Sequence, residues 1–431
     1  MDIKELYEIY LSHPFVTTDT RNCKPGAIFF ALKGENFDGN NFVGEALEKG
    51  CEFAISDCAG IFPENKKVIY VDDSLKTLQD LANYHRRQLK VPVIGITGTN
   101  GKTTTKELIA AVLSSKYKLL FTQGNLNNHI GVPLTLLQLR PEHEYAIIEM
   151  GANHPGEIKT LAEIAEPDFG IITNVGKAHL EGFGSFEAII RTKGELYDYL
   201  RKTGGTIFIN RENPYLNGIA ADLEKIFYGK TNDSVIWGET VSSFPFLTFK
   251  WNIGGESHEI KTQLIGDYNL ENTLAAVAVG NHFSVCAHGI NKALEEYLPQ
   301  NNRSQFKDTG KNKLIIDAYN ANPTSMTAAL ENFDKMNVFP KMLIVGDMKE
   351  LGTQSKEEHQ KIISLIERLN FDRIFLCGSE FSSFPVHHSD FHQFETKEEM
   401  IQFLKTAGIA GYNILIKGSR GMQLEKTVEL L

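Results

Sequence analysis

Seven residues, Gly98-Thr99-Asn100-Gly101-Lys102-Thr103-Thr104, are the part of this sequence best suited to chemistry on phosphate. Glycines let the backbone fold closely around an anion, and the lysine and hydroxyl that follow add a cation and a metal ligand. The stretch follows an apolar run, Val93–Thr97, and opens a segment in which Leu108, Ile109, Val112 and Leu113 recur at helical spacing. A strand-to-helix turn is the setting such a loop needs, because the first N–H groups of a helix are unpaired and its dipole is positive there. Lys102 is then placed to reach β- and γ-phosphates, and Thr103 to bind Mg²⁺ through its hydroxyl. The general form G-x-x-x-x-G-K-[ST] begins with glycine, whereas this chain has Ile96 at that position.

Glu149 ends the apolar run at 145–148, where a strand would deliver a carboxylate beside the phosphate loop as a second metal ligand. His179 lies in TNVGKAHLEGFGSFEAIIRTKGEL, just after another strand-like run, and Lys193 sits on the helix that follows, near Glu195. On residue type and spacing alone, His179 reads as a structural histidine and Lys193 as an exposed helix lysine.

The elements that must position these groups can be read from periodicity. Strand-like runs at 27–32, 52–56 and 67–71 precede a helix at Ser74–Leu89, whose Leu75, Leu78, Leu81 and Ala82 share one face. Pro92 marks the entry to a second unit. There the strands at Val93–Thr97, 145–150, 169–173 and 206–209 alternate with helices, followed by a β-rich stretch at 226–265 and an Ala-rich helix at 269–280. The polar segment LPQNNRSQ (298–305) reads as a linker and hinge. After it come strands at Lys313–Asp317, 342–347, Arg373–Cys377 and Asn413–Lys417 with helices between them. Such alternation predicts an α/β protein of three domains, at 1–90, 91–300 and 301–431: a central P-loop domain with a mostly parallel sheet follows the first, and a Rossmann-like domain follows it. No G-x-G-x-x-G occurs in the last unit, so no dinucleotide site is inferred there.

The 431 residues are 42% hydrophobic and 23% charged, which is the composition of a globular chain too long for one core. A net charge of −10 argues against a broad nucleic-acid surface. Five scattered cysteines without a CxxC pair suggest neither a disulfide framework nor a zinc site. The N-terminus carries acids rather than an apolar stretch, and no run approaches the ~18 apolar residues that span a bilayer. The expectation is a cytoplasmic protein without membrane insertion.

Six ordered segments resemble the Mur ligase family of peptidoglycan synthesis, from Thr17 to the C-terminus. TTDTRNCKPGAIFFALKGENFDG (17–39) looks like its uridine-binding motif and ITGTNGKTTTKEL like its ATP loop. GNLNNHIGVPLTLLQL (124–139), with Asn127 and Asn128, resembles the loop that meets the muramyl substrate. IIEMGANHPGEI supplies the acid, and NVGKAHLEGFGS with RTKGE the histidine and lysine. DAYNANPTSM (317–326) with GDMKELG (346–352) is closest to the branch that adds D-alanyl-D-alanine, and the Asp-Asn-Pro-Arg of the preceding diamino-acid-adding enzyme is absent.

The resemblance implies an ATP-dependent ligase, without any covalent enzyme intermediate, that joins D-alanyl-D-alanine to UDP-N-acetylmuramoyl-tripeptide through an acyl phosphate, working as a monomer. It makes Glu149 and His179 ligands of two Mg²⁺ ions together with a carbamylated Lys193. Asn269 and Asn272 fall near the adenosine, and Arg303 and Asp317 close over the nucleotide. Asp19, Arg21, Lys33, Gly34 and Asp38 would line the uridine side, and Asn320 and Asn322 would orient the dipeptide. The outer domains are expected to close on the central one, since an acyl phosphate hydrolyses in water. Other amide ligases of this type, folylpolyglutamate-forming ones included, and a P-loop ATPase or kinase are the competing readings.

Overall fold

The computed structural model describes residues 2–431 apart from 61, 63, 300–302 and 386–389. Sheets of four, nine and six strands follow one another along the chain, with a small hairpin, Lys33–Gly34 against Phe37–Asp38, beside the first. The four-stranded sheet runs Val16–Thr17, Ile28–Phe30, Phe53–Ser56, Val68–Tyr70, all parallel. Its alternation splits the core: Ile28 and Phe30 face the helices Ile3–Ser12 and Ser74–Leu89, whereas Phe29 and Ala31 pack with Val43 and Ala46 of the helix Val43–Glu48.

Helix Ser74–Leu89 also ties this unit to the next. Its N-terminus is capped by Asp73, which accepts the Lys76 N–H at 2.8 Å. Its buried face carries Leu78, Leu81 and Ala82 as the periodicity predicts. From the same helix His85 Nε2 donates to the Leu139 carbonyl at 3.0 Å, which leaves Nδ1 to accept from the Tyr7 hydroxyl at 3.2 Å. Tyr10 donates to the Leu137 carbonyl at 2.5 Å, and Arg86 pairs with Asp168 at 3.0 Å. Burial pulls the His85 imidazole below its ordinary pKa.

The nine-stranded sheet has Val93–Thr97 between Phe169–Ile172 and Tyr145–Glu149, all parallel. It continues through Thr206–Asn210 and Glu224–Gly229 to Ile236–Ser242, beyond which Thr248–Ile253 and Glu256–Lys261 extend it antiparallel. These last strands account for the β-rich stretch. Ile94 and Ile96 face the helices Lys102–Ser114 and Asn269–His282. Val93 and Ile148 face the other side, with helices Glu157–Ala165 and Phe186–Thr203. The Asn269–His282 helix is buried nearly all round. A Cβ on its Gly280 would lie 2.5 Å from Val112, so glycine sets how closely it meets the helix Lys102–Ser114.

The six-stranded sheet runs Gln305–Asp308, Lys313–Asp317, Asn413–Lys417, Lys341–Gly346, Arg373–Cys377, Phe391–Phe394, with only the first pair antiparallel. Leu343 and Val345 pack with helices Pro323–Lys335 and Ser355–Ile366, and Met342 and Ile344 with Lys397–Ala407 on the opposite face. This is the doubly wound layout expected for the last unit. The linker and hinge expected at 298–305 fall in part on 300–302, outside the described residues. Among the described residues no helix is long and apolar enough to cross a membrane.

Candidate functional site

The ends of the central strands and the N-terminal end of the helix Pro323–Lys335 enclose a cavity of about 800 Å³. Its floor is the turn after Val93–Thr97. Gly98 stands at φ +143°, and a Cβ there would lie 2.0 Å from Thr173 Oγ1. Gly101 stands at φ +77°, and a Cβ there would meet Asn272 Oδ1 at 2.6 Å. A side chain at either position would displace the Thr173 hydroxyl or the Asn272 amide behind it and strain a backbone that favours glycine. The turn is braced from the next strand: Asn174 Oδ1 accepts the Asn100 N–H at 2.9 Å, and Thr173 Oγ1 donates to the Asn100 carbonyl at 2.6 Å. Thr99, Asn100, Gly101, Lys102, Thr103 and Thr104 all line the cavity, while Gly98 lies behind it. The Lys102 ammonium donates to the Gly98 and Thr99 carbonyls at 2.8 and 3.0 Å, and burial lowers its pKa to about 8 against the pull of Glu149.

Glu149 ends its strand beside this turn at 1% exposure. Its Oε1 accepts from the Thr103 hydroxyl at 3.1 Å and from the Asn127 amide at 2.8 Å. Its Oε2 is buried with no hydrogen-bond partner among the described residues, and the nearest cation, Lys106 Nζ, is 3.9 Å away. A buried carboxylate oxygen left open beside a threonine hydroxyl suits a hard divalent cation such as Mg²⁺. Among the described residues no three His, Cys, Asp or Glu side chains cluster as a ready-made metal cage. A cation here would therefore share its coordination with the phosphates.

His179 also lines the cavity, at φ +50°, with its Nδ1 against Glu350 of the C-terminal unit. Lys193 does not line it and is not exposed, contrary to the default for a helix lysine. It is 2% exposed, and its ammonium donates to the carbonyl of the lining residue Ala152 at 3.4 Å. The physical reason lies in the helix Phe186–Thr203, where Lys193 shares the buried stripe of Ile189, Leu196 and Leu200. Burial, reinforced by the charge of Lys102, pulls its pKa well below the ordinary lysine range. Glu195 instead accepts the Gly156 and Lys159 N–H groups at 2.9 and 2.8 Å.

Asn269 and Asn272 line the cavity and brace it. Asn272 donates to Asn269 Oδ1 at 2.9 Å and accepts from the Thr105 hydroxyl at 3.1 Å. Arg303 and Asp317 form part of the opposite wall. The Arg303 guanidinium lies 3.6 Å from the centre of the Tyr319 ring, and Asp317 pairs with Lys417. Asn320 and Asn322 belong to the same wall. Asn322 caps the helix Pro323–Lys335 through the Ser325 N–H and donates to Asn100 Oδ1 at 2.8 Å, across the seam between the two units. Asn127 and Asn128 line the cavity from the central unit, with Asn128 also accepting the Gly131 N–H at 2.8 Å.

The N-terminal residues lie elsewhere. Asp19, Arg21, Lys33, Gly34 and Asp38 do not line this cavity. Arg21 pairs with Asp19 at 2.6 Å and Lys33 with Asp57 at 2.9 Å, while Asp38 accepts the Asn40 N–H at 2.9 Å. Sequence reasoning missed Asn174, Lys106, Tyr319, Lys417 and Glu350. Lys106 shares the helix of Lys102 one turn on, a spacing that could have singled it out; the others are brought in by distant segments.

Three domains of known type match the chain: the Mur ligase family catalytic domain over residues 13–86, the Mur ligase middle domain over 96–280, and the Mur ligase glutamate ligase domain over 302–420. The UDP-N-acetylmuramoyl-tripeptide–D-alanyl-D-alanine ligase of Bacillus subtilis is 37% identical over 96% of this chain and 92% of its own length. The enzyme of the same name from Escherichia coli is 33% identical over 96% and 93%. Crystal structures of MurF from Acinetobacter baumannii (TM-score 0.88, 33% identity, 96% and 92% covered) and of MurF ligase from Thermotoga maritima in complex with ADP (TM-score 0.86, 26% identity, 97% of each) share its fold. The chain belongs to the Mur ligase family.

Proposed function

We propose that this protein uses ATP to join D-alanyl-D-alanine to UDP-N-acetylmuramoyl-tripeptide, in the cytoplasm and as a single chain. The observation that carries the reading is that the Lys102 turn, Glu149 with its open oxygen, and His179 share one cavity large enough for a triphosphate. Relatives named for this reaction match the chain nearly end to end.

In this reading residues 1–90 hold the uridine end through Asp19, Arg21, Lys33, Gly34 and Asp38. Residues 91–300 bind ATP, and 301–431 present the dipeptide beside Asn320 and Asn322. Asn127 and Asn128 face the muramyl portion. A carboxylate is a poor electrophile, so amide formation requires its activation. The tripeptide carboxylate takes the γ-phosphate of ATP, releasing ADP, and the neutral amine of the dipeptide then displaces phosphate from the acyl carbon. Both partners of the first step are anions, and their repulsion is the main obstacle. Backbone N–H groups of Gly98–Thr104 and the Lys102 ammonium meet that charge with dipoles already in place. Thr103, Glu149, His179 and a carbamylated Lys193 are the residues that would hold Mg²⁺, which supplies positive charge to the phosphates when bound. A buried lysine with a depressed pKa offers the neutral amine that reaction with CO₂ requires. Asn269, Asn272, Arg303 and Asp317 enclose the nucleoside end, and the Asn100–Asn322 contact helps exclude water.

The test is ADP release in the presence of UDP-N-acetylmuramoyl-tripeptide, with and without D-alanyl-D-alanine. Release that depends on the dipeptide is expected. Release indifferent to it would assign the chain to the ATPases or kinases.

A further inference from the structure

Glu350 lies on the C-terminal unit, 171 residues from His179 in sequence, yet its carboxylate meets His179 Nδ1. The approach involves the backbone as well. The Glu181 N–H donates to the Glu350 carbonyl at 3.3 Å, and a Cβ on Gly352 would lie 3.3 Å from Glu181 Cα. Glu350 is held at φ +64°, a left-handed conformation that side-chain-bearing residues rarely adopt and that persists only where surrounding contacts impose it. Those contacts are present at the base of the loop. Asp347, fully buried, accepts the Phe381 N–H at 3.1 Å. The Met348 N–H donates to His359 Nε2 at 3.0 Å, and the Lys349 N–H to Ser419 Oγ at 2.9 Å. A loop anchored this firmly in one unit ends in a carboxylate delivered to the other.

We propose that Glu350 is a positioning residue that fixes the tautomer and orientation of His179, so that docking of the C-terminal unit completes the cation site at the phosphates. An imidazole that donates through Nδ1 keeps its lone pair on Nε2, free to face a cation. Because the two residues belong to different units, the pair exists only when the units are docked. The Lys177–Glu358 ion pair at 2.9 Å and the Asn100–Asn322 amide contact reinforce the same docked arrangement. This inference rests on the ligase reading in treating His179 as a ligand, but its first readout does not depend on catalysis.

The experiment uses the full chain with ¹⁵N-labelled histidine, with ADP and a chelator present, at pH 8. The His179 signals are identified by their absence from His179→Asn. In the wild type the proton is expected on Nδ1, and in Glu350→Ala it should redistribute toward Nε2. In parallel, the Mg²⁺ concentration giving half-maximal ADP release should rise ~10–100-fold in Glu350→Ala, with a smaller rise in Glu350→Gln. If Glu350→Ala does not fold, Glu350→Gln is read in the same two ways. An Nδ1 proton that stays in place without the carboxylate, or a Mg²⁺ midpoint that does not move, overturns the proposal. Failure of the wild type to release ADP in response to the dipeptide would instead remove the ligase reading and leave the tautomer result standing.

Discussion

Lys193 offers the sharpest test of the site, because its burial makes stability and activity respond in opposite directions. It is 2% exposed, its hydrogen bond to the Ala152 carbonyl is 3.4 Å long, and the Phe183 ring lies 5.4 Å from its nitrogen. A polar group so poorly satisfied costs about 1–3 kcal/mol. Lys193→Met keeps the chain length and removes that cost, so in CO₂-depleted buffer without metal the variant should be as stable as the wild type, or more stable by about 1–3 kcal/mol. Its ligase turnover should nonetheless fall by about 10²-fold or more, as for the loss of a group stabilising transition-state charge. Lys193→Ala leaves space where the side chain ran, and short-chain carboxylic acids should partly restore its ADP release. Carbon-13 bicarbonate should label the wild type with a carbamate resonance that both variants lack. Full activity in Lys193→Met would refute a catalytic lysine here. Activity lost beyond rescue, in a chain that never shows the carbamate signal, would remove the modification.

Two further outcomes follow from the geometry. Lys102→Ala should lower ADP release by at least about 10²-fold with an unchanged melting curve, since its ammonium donates to carbonyls of its own loop; retained ligation by the folded variant would discard the phosphate-loop argument. His85 should make the N-terminal joint acid-sensitive. Its folded pKa lies below the ordinary 6.5, so the unfolded chain takes up a proton first, and the stability it contributes is present above pH 6.5 and lost as pH falls below it. Urea midpoints measured between about pH 5 and 8 should show a weaker acid slope for His85→Gln than for the wild type, and equal slopes would exclude His85 as a source of the effect.

The strand–turn–helix around Lys102 could be read from the chain because its whole logic lies within a dozen residues: an apolar strand, a turn that excludes side chains, and a helix start. Glu149 was legible for the same reason, as an acid closing an apolar run. The three-sheet layout followed from the alternation of strands with helices, and Leu343 and Met342 indeed face opposite layers. The burial of Lys193 was also present in the sequence, in its spacing from Ile189, Leu196 and Leu200, but a charged residue invites the assumption of solvent. Tyr319 beneath Arg303 and Glu350 against His179 left no local trace. Such pairs are created when separate segments meet, within the C-terminal unit for the first and between units for the second, and no periodicity within either segment encodes the meeting.

The two joints of the central unit differ in what parting them would strand. At the N-terminal joint His85, Arg86 and Tyr10 are buried against the other side and would lose partners that water replaces poorly. At the C-terminal seam the bridges include the Asn100–Asn322 amide contact and the Lys177–Glu358 ion pair, whose lysine is partly exposed, and an ion pair so open to solvent contributes only about 0–1 kcal/mol. Parting the C-terminal seam should therefore cost less than parting the N-terminal joint. Dissolved salt, which screens exposed ions, should weaken the Lys177–Glu358 bridge while leaving the buried His85 and Tyr10 contacts in place.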